Sequence, residues 1–326
     1  MLESGRTTGS PVRRPNVFAG PYLDRAAHLR KDPGFLDAAL IDPTTLLVPV
    51  WQSRSLVRRI PAGFGAALLQ FGDALRSTLP PTEYVLLGHF HGRTVFAAEV
   101  TDESTFALPP ETAFEDLRLT GAALPQDEAG LLAYARAMVL WRGRHRHCGA
   151  CGAPTSSQSA GHVMKCSNQA CGAEHFPRLD PAVIVLVSDG ERALLGRQAS
   201  WPAGRYSTIA GFVEPGESLE DAVAREVLEE TGVDVHEVSY HSSQPWPFPS
   251  SLMIGFMALA SADATIRTDD ELEDARWFTR EDVAAGVPGL PPPQSVSYRL
   301  IEEWYDAGSA VPLAITPGVK QWGPGR

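Results

Sequence analysis

One stretch of the chain, residues 211–233 (GFVEPGESLEDAVAREVLEETGV), constrains its fold more than any other segment. Pro215 and Gly216 interrupt the strand that precedes it. Ser218 is a favoured helix N-cap residue, and Gly232 provides the stop. Between the cap and the stop, apolar side chains recur at helical spacing, namely Leu219, Ala222, Val223, Val227 and Leu228. The stretch therefore predicts a strand, a turn and one amphipathic helix.

Three glutamates of this helix form a candidate metal site. Glu226, Glu229 and Glu230 stand at positions i, i+3 and i+4, so their carboxylates lie on one helix face. Oxygen ligands without thiolate or imidazole favour a hard ion, Mg²⁺ or Mn²⁺, which completes its shell from waters and substrate phosphates. A solvated acidic face is the alternative for an isolated Glu-x-x-Glu-Glu pattern. The strand, turn and helix around these glutamates favour the metal site.

Length and composition are those of a globular protein. With 326 residues, 44% of them hydrophobic, the chain predicts about two packed domains. The net charge of −11 argues against a broad, non-specific nucleic-acid surface. Residues 1–15 are small and polar, which predicts a flexible tail rather than a signal peptide. Because the apolar run at residues 182–187 is too short to span a bilayer, we expect a cytoplasmic protein with no membrane contact.

The first large segment, residues 16–125, predicts a mixed, β-rich domain. Strand-like composition occurs at residues 45–51, 84–90 and 94–100. His91 and Gly92, between the last two segments, are typical of a hairpin turn. His89 and His91 could ligate a metal in principle, but beside a turn they are more often ordinary side chains. We expect a scaffolding or dimerisation role for this domain.

A linking helix is predicted within residues 126–147, with an acidic first turn and an apolar face. Its end is basic, with Arg142, Arg144 and Arg146 in close succession. Such a run is most often a helix C-terminus with favourable charge. It could also contact a polyphosphate or an RNA strand, and the sequence leaves both interpretations open.

The four cysteines of the chain form two pairs, Cys148 with Cys151 and Cys166 with Cys171. A glycine follows each pair (Gly152 and Gly172), as expected for two knuckles that aim four sulfurs at one point. This spacing predicts a zinc ribbon at residues 148–176, with one structural Zn²⁺ ion per subunit. Disulfides and an iron–sulfur cluster are the less favoured alternatives. Four thiolates leave no open coordination position, so the zinc would stabilise the fold rather than catalyse.

Residues 177–310 predict a second domain, a mixed sheet with helices on its faces, and the chain as a whole has an α+β pattern. Strands are predicted at residues 181–187, 193–196, 207–212, 235–240, 252–260 and 275–278, and a closing helix at residues 294–305. We assign residues 311–326 to a C-terminal tail.

Residues 243–251 (SQPWPFPSS) alternate prolines with aromatic residues, which predicts a stiff, extended loop between two strands. Large aromatic side chains are costly to expose. Trp246 and Phe248 therefore either pack on the domain or contact a substrate.

Together these motifs resemble the NADH pyrophosphatase family of the Nudix hydrolases over residues 148–304. The stretch at residues 211–233 matches the Nudix signature at every fixed position, and a zinc ribbon before it and SQPWPFPSS after it complete the resemblance. The resemblance implies a Nudix α/β/α sandwich that uses Mg²⁺ or Mn²⁺ to hydrolyse NAD(H) to nicotinamide mononucleotide and AMP. It also implies removal of NAD caps from RNA 5′ ends and a homodimer with a shared active site. The second knuckle departs from the family, with four intervening residues where two are common.

The resemblance assigns catalytic roles to residues of the predicted helix. Glu226, Glu229 and Glu230 would bind the catalytic metal ions, and Glu229 or Glu230 would help to deprotonate the attacking water. Arg225 would orient these glutamates through fork-like hydrogen bonds, an interpretation favoured over direct contact with the substrate.

Further residues are implied for the metal and for the substrate. Glu271 would complete the metal site, with Glu273 as the alternative, and Glu217 is a possible further ligand. The implied neighbours of the substrate are Phe176 from the partner subunit, Phe212, Gln244, Trp246, Ser251 and Ser297.

Two other functions stay open at this point. One is a Nudix hydrolase of another dinucleotide, such as ADP-ribose, against which the SQPWPFPSS segment argues. The other is a non-enzymatic regulator that senses a nucleotide while the ribbon binds nucleic acid. The complete set of Glu226, Glu229 and Glu230 argues against a pure sensor.

Overall fold

A computed structural model describes residues 14–61, 63–70, 80–101, 108–268 and 271–322. The tail expected at residues 1–15 lies outside these ranges except for its last two residues. The described chain forms an N-terminal sheet domain, a three-stranded ribbon and a second sheet domain. Within these ranges no helix is both long enough and apolar enough to cross a membrane.

The N-terminal domain is a mixed β-sheet. Its strands are β1 (Leu23–Asp24), β2 (Leu46–Trp51), β3 (Arg54–Ile60), β4 (Gly63–Ala66), β5 (Leu69–Gln70), β6 (Val85–Phe90), β7 (Arg93–Val100) and β8 (Thr112–Glu115). They follow the order β1-β6-β7-β2-β3-β4, with β5 beside β2 and β8 beside β3. The predicted hairpin of β6 and β7 is confirmed, with positive φ at both His91 and Gly92 in its turn. His91 contacts Asp127 at 2.7 Å.

The helices of this domain are α1 (Pro33–Ile41), α2 (Leu117–Thr120) and α3 (Gln126–Arg144), and α3 is the predicted linking helix. The apolar face of α3 is buried as expected, because Leu131, Ala135 and Met138 pack on the strands in one hydrophobic core. Helix α3 is therefore part of the N-terminal core as well as the connection to the ribbon.

The ribbon consists of β9 (Thr155–Gln158), β10 (Val163–Cys166) and β11 (Glu174–His175), paired antiparallel in the order β11-β10-β9. It packs against strand β6 of the N-terminal sheet. The Leu86 N–H donates to the Ala160 carbonyl at 3.0 Å, and His162 Nε2 donates to the Leu86 carbonyl at 2.8 Å. These bonds join the ribbon to the domain that precedes it.

Buried His162 makes the stability of this junction depend on pH. Burial and, to a smaller extent, the nearby guanidiniums of Arg30, Arg25 and Arg142 lower the pKa of His162 from 6.5 to about 4, although the hydrogen bond to the Leu86 carbonyl opposes the shift. Since the unfolded chain takes up a proton first, the free energy of unfolding falls as the pH drops below 6.5, down to about pH 4. From pH 7.5 to pH 5 the expected loss is about 2 kcal/mol in urea unfolding. His162→Gln should abolish this part of the loss, and an unchanged pH dependence in the variant would contradict it.

The second sheet domain holds strands on which helices pack from both sides. Its elements are β12 (Asp180–Ser188), β13 (Ala193–Arg197), β14 (Ile209–Phe212), α4 (Leu219–Thr231), β15 (Val235–Trp246), β16 (Ser251–Ala260), β17 (Asp274–Phe278), α5 (Arg280–Ala284), β18 (Gly289–Leu290), α6 (Val296–Gly308) and β19 (Lys320–Gln321). The main sheet has the order β15-β16-β12-β13-β17, with β14 beside β12. Only β12 and β16 run parallel among its pairs in the described residues.

The two faces of this sheet carry separate cores. Val223 and Val227 of α4 pack on one face, and Leu300 and Ile301 of α6 pack on the other. The predicted sandwich with a mixed sheet is therefore confirmed.

The segment 243–251 is only partly a loop, so its interpretation as an extended loop was wrong. Residues 243–246 continue strand β15 and pair with β16, and the turn is confined to residues 247–250. Strand β15 lies at the edge of the sheet, where Pro245 costs no hydrogen bond to a neighbour on the open side. The prolines therefore do not prevent a strand here.

The C-terminal residues 311–322 pack on the second domain instead of extending as a tail. Leu313 is buried, and its N–H donates to Asp306 Oδ1 at 2.7 Å. Strand β19 then pairs in parallel with β18, and the Trp322 N–H donates to the Leu290 carbonyl at 3.0 Å. The apolar side chains of Leu313 and Trp322 anchor the segment.

The two sheet domains touch along the turn after β15. Phe248 is buried in the N-terminal core, 5.9 Å from the ring of Phe18. Asn16 Nδ2 donates to the Ser243 carbonyl at 2.8 Å, and Arg299 donates to Asn16 Oδ1 at 2.8 Å. The N-terminal domain thus contributes to the surroundings of the site described next.

Candidate active site

Helix α4 is held at both ends by caps. The Asp221 N–H donates to Ser218 Oγ at 3.1 Å, and the Ser218 N–H donates to the Asp221 carboxylate at 3.3 Å, which is a capping box. At the other end Gly232 adopts a φ of 67°, and its N–H donates to the Leu228 carbonyl at 2.8 Å. The predicted N-cap and stop are confirmed, and they determine where α4 begins and ends.

Two of the three helix glutamates are buried. Glu226 and Glu230 are buried, whereas Glu229 remains exposed. The Glu226 carboxyl group lies directly against Gly211 of β14, in the space that a Cβ at residue 211 would occupy. A glycine at this position therefore lets the strand and the carboxylate approach each other.

Arg225 forms a two-pronged ion pair with Glu217. Arg225 Nε and Nη2 donate to the two carboxylate oxygens of Glu217 at 2.5 and 2.9 Å, and Nη2 also donates to the Phe212 carbonyl at 2.9 Å. These bonds and the N–H of Glu214 lower the pKa of Glu217 to about 2. Glu217 is thus ionised at neutral pH and holds Arg225 against the end of β14.

The remaining Arg225 nitrogen reaches the helix glutamates. Nη1 donates to Glu226 at 2.8 Å and to Glu229 at 3.0 Å. Burial nevertheless raises the pKa of Glu226, with further contributions from the charges of Glu229 and Glu271, while Arg225 opposes the rise. The negative charges of Glu229 and Glu271 therefore act on the Glu226 carboxylate, and a divalent cation would offset that repulsion.

Glu271 lies on the loop opposite α4, and Glu230 and Glu271 line the same cavity. Glu273 instead forms an ion pair with Arg197, and its N–H donates to the Arg197 carbonyl at 3.0 Å. Glu271 rather than Glu273 therefore stands beside the helix glutamates. All donors here are carboxylate oxygens, the ligand type that suits Mg²⁺ or Mn²⁺.

The cavity beside Glu230 and Glu271 has a volume of about 410 Å³. Its walls come from both sheet domains: Phe18 and Arg118 of the N-terminal domain, Trp201 and residues 207–210 around β14, Ser297 of α6, and Trp322 at the C-terminal end of the second domain. A space of this size suits a large part of a nucleotide.

Among the expected substrate neighbours, Gln244 and Ser297 line the cavity but also bind the backbone or side chains around it. Gln244 Nε2 donates to the Gln294 carbonyl at 2.8 Å, and its Oε1 accepts from the Val296 N–H at 2.9 Å. Ser297 Oγ accepts from Thr208 Oγ1 at 2.8 Å. Both side chains hold the start of α6 in place beside the cavity.

Trp246 and Phe248 differ in their surroundings. Trp246 lines the cavity and packs on Phe248 with a ring distance of 5.1 Å. Phe248 is buried, and the guanidiniums of Arg118 and Arg136 lie 4.9 and 4.8 Å from its ring centre. Packing within the protein explains why an aromatic side chain is present at residue 248. Trp246, by contrast, lines the cavity and could also contact a ligand.

The other three expected neighbours do not line this cavity. Ser251 is buried at the start of β16, whereas Phe176 and Phe212 are exposed by 61% and 60%. Phe212 lies on the same face of β14 as Ala210, two residues earlier, and Ala210 lines the cavity. Phe212 therefore shares a face of β14 with one residue of the cavity wall, although its own side chain does not line the cavity.

The four cysteine sulfurs gather in the ribbon. They form the cluster of metal-ligand atoms found in the described residues, all within 4.8 Å of one another. The Cys148–Cys171 and Cys151–Cys166 sulfur distances are 3.9 and 3.4 Å, close to the roughly 3.8 Å between thiolates on one tetrahedral zinc ion. Gly152 and Gly172 have positive φ, as the predicted turns require. The longer second knuckle therefore still fits a structural zinc ion.

The basic run after α3 is only partly available to a ligand. Arg142 is buried and donates to the carbonyls of Glu83 and Thr82, each at 2.7 Å. Arg146 pairs with Glu99 at 2.9 Å, whereas Arg144 is exposed. Arg142 thus stabilises the fold, and its guanidinium is not available to contact RNA.

Phe18, Trp201 and Trp322 line the cavity although the sequence did not single them out. Phe18 and Trp322 lie far from residues 211–233 in the chain, and Trp201 precedes that stretch by ten residues without a spacing pattern that connects it to the site. A tryptophan among the small and polar residues near the C-terminus was the available signal, because such a side chain is seldom left without a packing partner.

Comparison with known proteins identifies the domains of the chain. The NUDIX domain model matches residues 178–301, the NADH pyrophosphatase zinc ribbon model matches residues 144–176, and a model described as an NADH pyrophosphatase-like rudimentary NUDIX domain matches residues 44–141. The chain thus contains a NUDIX domain and a zinc ribbon, with a rudimentary NUDIX domain before them.

Similar proteins narrow the class further. The NAD-capped RNA hydrolase NudC of Stutzerimonas stutzeri is 39% identical over 281 residues, which cover 86% of this chain and 98% of the relative. NudC of Mycobacterium bovis is 39% identical over 304 residues, covering 86% and 92%. The human NAD-capped RNA hydrolase NUDT12 is 42% identical over 196 residues, covering 56% and 42%. The chain belongs to the NADH pyrophosphatase family of the Nudix hydrolases.

Proposed function

We propose that the protein hydrolyses the pyrophosphate bond of NAD(H) to nicotinamide mononucleotide and AMP, and that it removes NAD caps from RNA. The observation that carries the proposal is the position of Glu230 and Glu271 on the wall of a cavity with a largely apolar and aromatic lining. The names of the similar proteins, NAD-capped RNA hydrolases, support it.

The glutamates of α4 and the opposite loop would hold the catalytic cations, namely Glu226, Glu229, Glu230 and Glu271. A bound Mg²⁺ or Mn²⁺ ion lowers the pKa of a coordinated water and offsets charge on the phosphate oxygens. Glu230 is the better candidate for the proton acceptor than Glu229, because it is buried and lines the cavity, whereas Glu229 is exposed.

Arg225 and Glu217 position these groups. Arg225 bridges Glu217, the Phe212 carbonyl and the α4 glutamates, so it holds the helix against β14. Glu217 binds Arg225 through both oxygens, which favours a role in orienting Arg225 over a role as a metal ligand.

Parallel assays with NADH, NAD⁺ and ADP-ribose test the substrate class. With Mg²⁺ or Mn²⁺ we expect NADH to be the best of the three and excess chelator to abolish turnover. A protein that hydrolyses ADP-ribose with at least the same kcat/KM as NADH would contradict the assignment. A protein that binds these nucleotides but hydrolyses none of them would be a sensor.

A homodimer with a shared active site is part of the proposal. Phe176 and Leu179, between the ribbon and β12, are exposed by 61% and 58%, and such side chains suit an interface. Sedimentation equilibrium should give twice the chain mass, and Phe176→Ala should raise the KM for NADH. A monomer with unchanged KM in the variant would exclude the shared site.

A further inference from the structure

Glu273, the alternative metal ligand expected from the sequence, has a different partner in the structure. Glu271 lines the active-site cavity, whereas Glu273 and Arg197 line a different cavity of about 490 Å³. Arg197 is the last residue of β13, and its side chain is only 11% exposed. A guanidinium so nearly buried needs an opposite charge, and the Glu273 carboxylate supplies it through an ion pair. Glu273 is therefore a partner of Arg197 and not a metal ligand.

Three contacts fasten the loop of Glu271 to the end of β13. The Glu273 N–H donates to the Arg197 carbonyl at 3.0 Å, and the two side chains form the ion pair. Between the two glutamates, Leu272 is buried in the core of the second domain. Its side chain lies against Gly196 of β13, 2.7 Å from the position that a Cβ there would take. Both residues that follow Glu271 are thus fixed to the strand.

Arg197 also reaches a second segment of the active-site wall. Its Nη2 donates to the Trp201 carbonyl at 2.7 Å, and Trp201 lines the same cavity as Glu271. One guanidinium therefore joins the Glu271 loop to the loop after β13. Arg197 itself does not line that cavity, so it is placed to hold the wall rather than to contact a ligand.

We propose that Arg197 and Glu273 are positioning residues that hold the Glu271 carboxylate in place for the catalytic cation. The inference rests on the proposed function, in which Glu271 binds the cation together with the glutamates of α4. Coordination bonds are short, so a carboxylate on a loosened loop loses metal affinity. Residues that orient metal ligands typically contribute about 10–100-fold in metal affinity. Arg197 and Glu273 act through Glu271 and contact neither the cation nor the nucleotide.

Binding of Mn²⁺ without nucleotide, measured by electron paramagnetic resonance, tests this role apart from turnover. Arg197→Gln and Glu273→Gln should each raise the Kd for Mn²⁺ by about tenfold. The double variant should lose less than the sum of the two changes in binding free energy, because each residue acts through the other. In NADH assays the Mg²⁺ concentration for half-maximal rate should rise similarly, while kcat at saturating Mg²⁺ changes little.

Two further variants separate positioning from folding. Glu273→Gln leaves the Leu272 contact and the bond from Arg197 to the Trp201 carbonyl in place, so it isolates the ion pair even if Arg197→Gln folds poorly. Arg197→Lys keeps the positive charge and should retain most of the Mn²⁺ affinity.

Arg276→Gln is the matched control, because Arg276 pairs with Asp274, the residue after Glu273, at 2.7 Å and its side chain is 64% exposed. It should bind Mn²⁺ as the wild type does. Wild-type Mn²⁺ affinity in Glu273→Gln or in folded Arg197→Gln overturns the inference, as does an equal loss in Arg276→Gln. If the wild type hydrolyses NADH while these results appear, the proposed function stands and only the positioning role is rejected. A wild type that neither binds Mn²⁺ nor hydrolyses NADH rejects the function itself.

Discussion

Replacing Glu230 with glutamine is expected to lower the turnover of NADH by about 10²–10⁴-fold. Glutamine has nearly the same shape but neither binds a cation strongly nor accepts a proton from water. Glu230 is buried on α4 and lines the cavity, so its carboxylate reaches the space where the pyrophosphate is proposed to bind. Steady-state kinetics with saturating Mg²⁺ or Mn²⁺ gives the comparison, and circular dichroism shows whether α4 is retained.

Glu220→Gln is the matched control for this substitution. Glu220 lies on the same helix, is exposed, and belongs to the first turn rather than to the proposed metal set. The control should keep kcat within about twofold, since exposed substitutions away from a site have small effects. Near-normal turnover of Glu230→Gln would move the proton acceptor to another residue, with Glu229 as the next candidate.

Replacing Phe248 with alanine is expected to reduce the free energy of unfolding by about 3–4 kcal/mol. Phe248 belongs to the second domain but is buried in the N-terminal core, with Phe18, Trp246 and two guanidiniums around its ring. Its removal leaves a cavity between the domains and ends two cation–π contacts. Urea unfolding followed by tryptophan fluorescence measures the change.

Phe212→Ala is the control for that experiment, because the Phe212 ring is 60% exposed. The control should change stability by less than about 0.5 kcal/mol, the usual range for surface positions, and should raise the KM for NADH instead. Equal stability of Phe248→Ala and the wild type would show that the domain contact contributes little.

Local spacing explains what could be predicted from the sequence. The caps at Ser218 and Gly232 and the apolar face between them depend only on residues within a few turns of the helix. The position of α4 could therefore be predicted from the sequence. The grouping of the four cysteines could also be predicted, because the geometry of a metal site imposes short sequence spacings within each knuckle. The α+β class and the zinc ribbon followed from these patterns.

Tertiary context explains what could not be predicted. Pro245 suggested a loop, but an edge strand tolerates proline, and the strand order that makes β15 an edge is not visible in its own residues. Arg142 suggested a basic surface, but its guanidinium is buried and donates hydrogen bonds to the carbonyls of Thr82 and Glu83. Trp322 reaches the cavity only because β19 pairs with β18. Each outcome depends on residues distant in the chain.

The products formed from NADH test the central claim most directly. Purified protein with Mg²⁺ or Mn²⁺ should convert NADH to reduced nicotinamide mononucleotide and AMP in equal amounts, resolved by liquid chromatography and mass spectrometry. This result would place the scissile bond within the pyrophosphate, where the carboxylates of Glu226, Glu230 and Glu271 are proposed to act. Intact NADH under both metals, or release of free nicotinamide with ADP-ribose, would contradict the account.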